Sequence, residues 1–262
     1  MDAKIKTMAE LTSEGVEPEV LFWVGCAGSF DARAQKVSKA FARILQKAGV
    51  VFAILGSEES CCGDPARRAG NEFVYQMLAL QNIQTLNGYN IKKIVTTCPH
   101  GYNTIKNEYP DLGGNFEVYH HTQFIDLLFK EGKLKASEFG NPENDKLTYH
   151  DSCYMGRINE EYEAPRKILD TIGSNFLEMP ANKQRAMCCG AGGAQMFKEE
   201  EKGDDRVNNV RAKEALGTGC KTIAANCPFC ITMLEDGLKN FGKEEEVKVK
   251  DIAEILAEGL KG

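Results

Sequence analysis

The stretch AMCCGAGG at residues 186–193 decides how this chain is organised, because a second Cys-Cys-Gly triplet occurs in ESCCGDPA at residues 59–66. An earlier cysteine precedes each triplet by the same interval of 35 residues, Cys26 in the first case and Cys153 in the second. The two triplets themselves lie 127 residues apart. One cysteine pattern is therefore written twice.

The segments around these cysteines repeat in the same register. The matching pairs are LFWVGC at 21–26 with TYHDSC at 148–153, IVTTCPHG at 94–101 with IAANCPFC at 223–230, and EVYHHTQFIDLL at 117–128 with EVKVKDIAEILA at 246–257. Self-similarity at a fixed offset is the signature of an internal duplication. We predict a first domain at residues 17–132, a second at residues 146–262, and a polar linker at residues 133–146.

Within each copy, short apolar runs alternate with helical patterns. The predicted strands are residues 20–24, 50–55, 91–97, 147–151, 176–179 and 222–226, and the predicted helices are residues 31–48, 66–86, 164–172 and 207–216. In the helix at 66–86 the pattern predicts one apolar side, made of Phe73, Val74, Met77, Leu78 and Leu80. Alternation of this kind predicts an α/β fold, here two pseudo-repeated Rossmann-like domains with mostly parallel sheets.

The composition is that of an ordinary folded protein, with 262 residues, 42% hydrophobic and 27% charged. A net charge of −6 and the lack of a long basic tract argue against nucleic acid as a partner. The sequence shows no apolar run long enough to span a membrane and no signal-peptide core, so we expect a cytoplasmic protein. Ten cysteines are too few for a disulfide scaffold but many for a metal-free cytosolic enzyme.

Most cysteines follow predicted strands. Cys26 and Cys98 come directly after two strands of the first copy, and the second copy repeats this placement. Ligands of open α/β sheets bind at the carboxyl ends of the strands, so we expect each set of cysteines to meet there in a metal site. Gly63 and Gly190 follow the Cys-Cys pairs and permit a tight turn that directs both thiolates to one centre.

The second copy offers five thiolates to one site: Cys153, Cys188, Cys189, Cys227 and Cys230. A structural zinc ion is satisfied by four ligands, so five indicate more than one metal ion. Iron-sulfur clusters use cysteine thiolates at several irons. The backbone N–H groups of residues 190–193 are expected to donate to the sulfur atoms of such a cluster.

The spacing Cys-x34-Cys-Cys-Gly, with a later Cys-Pro-Xaa-Cys, resembles the duplicated cysteine-rich (CCG) domain family over nearly the whole chain. That family includes the B subunit of heterodisulfide reductase, the corresponding half of its D subunit, and iron-sulfur subunits of related oxidoreductases. The resemblance implies that the five cysteines of the second copy bind a non-cubane 4Fe-4S cluster.

The first copy departs from the family pattern, because Gly101 stands where the last cysteine belongs. The metal ligands that remain are Cys26, Cys61, Cys62 and Cys98. Four interpretations stay open for this site: a smaller or cubane iron-sulfur cluster, an added ligand such as His100 or His120, a zinc ion, or no metal. Heterodisulfide cleavage in the family uses two non-cubane clusters, so the glycine bears directly on the reaction.

Other polar residues have competing interpretations. His150 and Asp151 precede Cys153 and are the candidate catalytic residues, as proton donors or as hydrogen-bond donors to a cluster, with a structural role as the alternative. The pair His120 and His121 is expected to be structural or to lie at an interface. Cys220 fits neither motif and is expected to be a buried apolar residue without a role.

No ferredoxin-type cysteine run is present in the sequence, so onward electron transfer needs a partner. We expect an iron-sulfur oxidoreductase subunit that moves electrons between a ferredoxin-like iron-sulfur subunit or an electron-transferring flavoprotein and a disulfide or the quinone pool. Association with the inner face of the membrane would then come through the partner. The alternative is a non-catalytic scaffold subunit stabilised by zinc or a single cluster.

Overall fold

Two four-stranded parallel sheets form the framework of the protein in the computed structural model, which describes residues 4–140, 146–199 and 203–261. The chain divides into two units, Met1–Leu134 and Lys135–Gly262, with one sheet in each. The predicted α/β class with two repeated parallel-sheet domains is confirmed. The domain bounds 17–132 and 146–262 stay a prediction.

The first unit has the sheet order β2-β1-β3-β4 with every pair of neighbours parallel. Its strands are β1 (Val20–Trp23), β2 (Phe52–Ala53), β3 (Lys93–Thr96) and β4 (Glu117–His120). Its helices are α1 (Met8–Ser13), α2 (Gly25–Phe30), α3 (Ala32–Lys47), α4 (Asp64–Arg68), α5 (Glu72–Gly88), α6 (Pro99–Asn103) and α7 (His121–Lys130).

The second unit repeats this order as β6-β5-β7-β8, again all parallel. Its strands are β5 (Leu147–Tyr149), β6 (Phe176–Leu177), β7 (Thr222–Ala225) and β8 (Lys248–Asp251). Its helices are α8 (Glu163–Thr171), α9 (Val207–Gly217), α10 (Pro228–Asn240) and α11 (Ile252–Gly259). In both units the order and direction of the strands are the same, as expected of a duplication.

The predicted strand at 50–55 is shorter in the structure, because only Phe52 and Ala53 pair with β1. Val50 and Leu55 are buried without belonging to the strand, so their apolar character reflects packing rather than pairing. The predicted helix at 66–86 is two helices, α4 and α5. Gly70 between them has φ +86°, a left-handed conformation that ends α4.

The apolar side predicted for this helix does not face the core. Phe73, Met77 and Leu80 are 74%, 56% and 51% exposed, so this apolar side of the helix is not part of the core. Asn82 decides the rotation of α5, because its fully buried side-chain amide donates to the Cys61 carbonyl at 2.9 Å. The face that α5 buries consists of Tyr75, Ala79, Asn82, Ile83 and Leu86.

Part of the predicted linker at 133–146 is structured. Leu134 and Phe139 are buried, and Phe139 forms an antiparallel bridge with Leu260 within the second unit. Residues 141–145 of the predicted linker lie outside the described residues. Within the described ranges, no helix combines the length and the apolar character needed to cross a bilayer.

Candidate functional site

Each sheet reverses its strand order at the same place. In the first unit, β2 pairs with one edge of β1 and β3 pairs with the other edge. In the second unit, β5 lies between β6 and β7 in the same way. Parallel sheets open a crevice at the carboxyl ends of such strands, where ligands bind. Cys26 lies in the first turn of α2, three residues after β1, and Cys98 lies two residues after β3. Cys153 and Cys227 likewise follow β5 and β7.

Five thiols meet at this edge of the second unit, and we call them the five-thiol site. The Cys153 and Cys189 thiols donate hydrogen bonds to the Cys188 sulfur. The Cys230 thiol also forms hydrogen bonds with the sulfur atoms of Cys189 and Cys227. The structure therefore brings together all five cysteines that the sequence singled out.

The turn after the Cys-Cys pair shapes the site as predicted from the glycine. Gly190 has φ +92°, and its N–H donates to the Cys188 sulfur at 3.3 Å. The hydrogen bonds from Cys153, Cys189 and Gly190 lower the pKa of Cys188, while burial and the bond to Cys188 raise the pKa of Cys153. A thiolate held in this way is ready to bind a metal.

The corresponding four-thiol site of the first unit consists of Cys26, Cys61, Cys62 and Cys98. The thiols of Cys26 and Cys62 donate to Cys61, whose pKa is lowered by these bonds and by the Gly63 N–H at 3.5 Å. The charge of Cys98 raises the pKa of both Cys26 and Cys62, which places it in the same group. The N-terminal turn of α6 carries Gly101 where α10 carries the fifth cysteine.

His150 lies against the five-thiol site at full burial. One of its ring nitrogens, the Cys189 sulfur and the Cys230 sulfur are all within 4.8 Å of one another. The Arg211 Nε–H donates to His150 Nδ1 at 3.0 Å, and burial together with this guanidinium lowers the pKa of His150 to about 3. The neutral ring therefore carries its proton on Nε2, which has no hydrogen-bond partner among the described residues. His150 is therefore a neutral ring at the edge of the five-thiol site, with an Nε2–H unpartnered among the described residues, rather than a charged acid.

Asp151, the other candidate catalytic residue, is engaged elsewhere. Its two carboxylate oxygens accept from the Arg166 guanidinium at 2.8 and 2.9 Å, and one also accepts from the Lys183 N–H at 2.9 Å. Arg166 also pairs with Glu178 at 2.6 and 3.0 Å. Asp151 thus fixes the loop that leads to the Cys-Cys pair, which favours a structural role over proton delivery.

The histidines considered as extra ligands of the four-thiol site have partners of their own. His100 Nδ1 lies 2.7 Å from the Asp64 carboxylate, which also accepts from Arg68 at 3.0 Å. His120 Nδ1 lies 2.8 Å from the Thr122 hydroxyl, and its ring packs edge-on against Tyr102 of α6. These contacts give both rings a fixed orientation inside the first unit.

Cys220 stands apart from both sites, at the amino end of β7. Its side chain is buried, its thiol donates to the Ala215 carbonyl at 3.4 Å, and burial raises its pKa. A buried, hydrogen-bonded thiol of this kind is inert.

Several residues that the sequence did not single out complete the sites. Ser152 Oγ, both side-chain polar atoms of Asn226, and His150 Nε2 are buried without a hydrogen-bond partner in the described part of the chain. Ser152 precedes Cys153 in the sequence, Asn226 precedes Cys227, and His150 lies beside the thiols. Buried polar groups without partners indicate a missing partner such as a bound ion. The residues of the five-thiol site therefore fit a bound group that carries hydrogen-bond acceptors.

The first unit also has a buried polar atom without a partner in the described part of the chain, and a carboxylate that holds its cysteine loop. The indole Nε1 of Trp23, at the end of β1, is buried without a partner among the residues described. The Glu59 carboxylate accepts from the N–H groups of Val24 and Gly25 at 3.0 and 2.5 Å, and burial raises its pKa to about 7. Only the position of these residues at strand ends, next to the cysteines, could have pointed to them.

Two α/β repeats that collect thiolates at the switch point of each sheet define a class of duplicated metal-binding redox proteins. The chain belongs to the cysteine-rich domain (CCG) family, whose model matches residues 20–106 and 147–235. The resemblance that the cysteine spacing suggested is thereby confirmed.

Several curated relatives have the names of oxidoreductases or reductase subunits. The chain is 48% identical over its full length to the "Probable iron-sulfur-binding oxidoreductase FadF" of Bacillus subtilis, covering 37% of that protein. It is 48% identical over 94% of its length to the "EtfAB:quinone oxidoreductase" of Syntrophomonas wolfei, covering 35% of it. It is 34% identical over 92% of its length to the D subunit of the dihydromethanophenazine:CoB–CoM heterodisulfide reductase of Methanosarcina barkeri, covering 59% of it. The chain thus spans between about a third and three fifths of these relatives.

A solved structure of a hypothetical protein from Helicobacter pylori matches 94% of the chain with a TM-score of 0.57, at 9% identity and over 50% of that protein. At this identity the likeness concerns the fold alone.

Proposed function

We propose that this chain is the cysteine-rich electron-transfer core of an iron-sulfur oxidoreductase, with a non-cubane 4Fe-4S cluster at the five-thiol site. The observation that carries the proposal is a set of five thiols joined by hydrogen bonds from one to the next, one thiol more than a zinc ion takes. A bound iron-sulfur cluster supplies one-electron chemistry. The ligands would be Cys153, Cys188, Cys189, Cys227 and Cys230.

The protein's own groups set the surroundings of that cluster. The Gly190 N–H donates to the Cys188 sulfur, and a ring nitrogen of His150 lies within 4.8 Å of two other sulfurs of the site. Hydrogen bonds to cluster sulfurs are among the factors that set the reduction potential. The buried Arg211 holds His150 in the tautomer that donates. The fully paired Asp151 and Arg166 keep the cysteine loop in place without taking part in proton transfer.

For the four-thiol site we propose a second metal centre bound by Cys26, Cys61, Cys62 and Cys98, either an iron-sulfur cluster or zinc. Four thiolates complete a tetrahedral zinc site and equally a cubane cluster. The match of four thiolates to a zinc ion makes the scaffold function the second candidate, in which a zinc ion organises the loops at the edge of the first sheet.

The electron partners we propose are a ferredoxin-type iron-sulfur subunit or domain and an electron-transferring flavoprotein. The protein would exchange electrons between such a partner and a disulfide or a quinone. The names of the relatives support this, since they include a flavoprotein:quinone oxidoreductase and part of a heterodisulfide reductase. Location in the cytoplasm, with association at the inner face of the membrane through a partner, stays a prediction.

The proposal is tested on anaerobically purified protein by iron, zinc and acid-labile sulfide analysis together with electron paramagnetic resonance across a redox titration. We expect about four irons with sulfide from the five-thiol site. Cys189→Ser is expected to abolish the spectrum of that site, whereas Cys220→Ser leaves it unchanged. Protein without iron and sulfide would contradict the proposal, and one zinc per chain without sulfide would establish the scaffold function.

The substrate end of the proposal has its own test. A disulfide substrate is expected to shift or broaden the resonance of the oxidised five-thiol centre when a thiol or disulfide is added. A resonance that is indifferent to thiols would instead assign the chain to electron relay, with the substrate bound by a partner.

A further inference from the structure

The two repeats differ at one pair of positions that the cysteine motif alone does not explain. At the end of the first strand, His150 of the second unit corresponds to Trp23 of the first, and one turn into the helix after the third strand, Cys230 corresponds to Gly101. The sheet registers agree with this equivalence, since β1 pairs with β3 as β5 pairs with β7. Both members of the pair change together.

In each unit the two members of the pair lie side by side. A ring nitrogen of His150 lies within 4.8 Å of the Cys230 sulfur. A Cβ atom added at Gly101 would have Trp23 Cδ1 at 3.8 Å and Trp23 Nε1 at 3.9 Å among its three nearest atoms, with Thr96 Oγ1 at 3.7 Å. The N–H edge of the indole therefore stands over the place from which the fifth thiol projects in the second unit.

The Trp23 side chain cannot be accounted for as ordinary core packing. It is fully buried, yet its Nε1–H has no hydrogen-bond partner among the described residues. Leaving a buried donor unpaired destabilises the folded protein by the desolvation penalty of that group. An indole N–H donates and cannot bind a metal, because its nitrogen has no free lone pair.

We propose that Trp23 replaces the fifth ligand of the first unit: its indole fills the space of the missing thiolate and its Nε1–H donates to a sulfur atom of the centre held by Cys26, Cys61, Cys62 and Cys98. The first site is then a closed four-thiolate site with an N–H donor in the fifth position. The pair Trp23 and Gly101 has to change as a unit for the site to accept another ligand. This inference rests on the proposed four-cysteine ligand set.

The first test asks whether the indole blocks the fifth position. Full-length protein is loaded with Cd²⁺ alone, a soft ion that thiolates bind without iron-sulfur assembly, and each cysteine is alkylated before and after chelation and counted by mass spectrometry. In Gly101→Cys the added thiol is expected to react equally in both states. In the double variant Trp23→His/Gly101→Cys it is expected to be protected until Cd²⁺ is removed. Cys220 is the internal control for a buried thiol that binds no metal.

The second test detects the hydrogen bond directly. Trp23 is the only tryptophan of the chain, so the ¹⁵N-labelled protein has a single indole N–H resonance. Loading with Cd²⁺, which is diamagnetic, is expected to move this resonance downfield and to slow its exchange with solvent. Cys62→Ser, which removes one of the four ligands, is expected to abolish the change, whereas Cys189→Ser in the other unit preserves it.

The outcomes separate this inference from the function on which it rests. If Cd²⁺ protects none of the four thiols, the proposed ligand set fails. If the four thiols are protected but the thiol added in Gly101→Cys is protected as well, Trp23 does not close the fifth position. If the indole resonance is unchanged on loading, the hydrogen bond to sulfur is absent.

Discussion

The turn after the first Cys-Cys pair allows a prediction in which backbone strain and packing are separated. Gly63 has φ +93°, and a Cβ added there would lie 2.8 Å from Tyr75 Cδ2 and 3.3 Å from the Tyr75 carbonyl oxygen. Gly113 has a similar φ of +85°, but nothing lies within 4 Å of its added Cβ. Alanine at either position is held in the same strained region, and only Gly63→Ala also collides with its surroundings.

The expected magnitudes follow from these distances. The left-handed conformation costs alanine about 1–2 kcal/mol at each position. Overpacking against Tyr75 adds about 1–3 kcal/mol in Gly63→Ala. Tyr75 is 2% exposed and lies under the Arg67 guanidinium at 4.6 Å, so its ring cannot move aside freely. With a urea dependence of about 1–3 kcal/mol per M, the midpoints of the two variants should differ by roughly 1 M.

The assay uses the single tryptophan, because Trp23 lies in the same unit as both glycines and reports on that unit alone. Urea unfolding of the two variants and the parent protein, prepared identically under anaerobic conditions, is followed by tryptophan fluorescence. We expect the order parent, Gly113→Ala, Gly63→Ala from highest to lowest midpoint. Equal midpoints for the two variants would refute the collision with Tyr75, and a Gly113→Ala midpoint equal to that of the parent would refute the strain.

Three further predictions concern two residues that support the sites and one exposed residue of α5. Asn82→Ala removes a buried amide from the Cys61 loop and is expected to cost about 1–3 kcal/mol in urea unfolding, while the exposed Asn87→Ala on the same helix changes little. Arg166→Met leaves a buried carboxylate without its guanidinium and is expected to cost about 3–5 kcal/mol in thermal unfolding, against no measurable change for the exposed Lys167→Met. Phe73→Ser is expected to alter stability by less than about 0.5 kcal/mol, and a large loss would show that this face of α5 is buried.

The duplication and both cysteine clusters could be predicted from the sequence, because cysteine spacing and apolar runs are local features that survive divergence. Cys153, Cys188 and Cys227 each follow a strand of a parallel sheet, and the topology alone brings such positions to one edge. Gly190 was predictable for the same reason, since the turn after a Cys-Cys pair needs a positive φ.

The rotation of α5 could not be predicted, because apolar periodicity does not tell which side of a helix is held by a polar anchor. Asn82 is polar in the sequence, yet it is fully buried and accepts from the Ser60 N–H while donating to the Cys61 carbonyl. The face that carries Asn82 also buries Ile83 and Leu86, so this rotation satisfies the amide and still buries apolar side chains. Phe73 and Met77 are exposed as a consequence.

The hydrogen bonds that join the Cys-Cys loop to the end of the first strand could not be predicted either. The acidic residue lies on the loop in one unit and at the strand end in the other. In the first unit the carboxylate is on the loop, where Glu59 accepts from the N–H groups that follow β1. In the second unit the carboxylate is at the strand end, where Asp151 accepts from the Lys183 N–H of the loop. The offset of 127 residues pairs Glu59 with Ala186 and Asp151 with Val24, so an alignment of the repeats shows no shared acid.

What the two units share is therefore a physical requirement rather than a residue. The first cysteine follows a strand and the Cys-Cys pair lies on a loop, so their thiols stay together only if a strong bond joins the strand end to the loop. A buried carboxylate that accepts backbone N–H groups provides such a bond. The two units therefore differ both in the position of this anchor and in the residues beside the thiols, which are Trp23 with Gly101 in the first unit and His150 with Cys230 in the second.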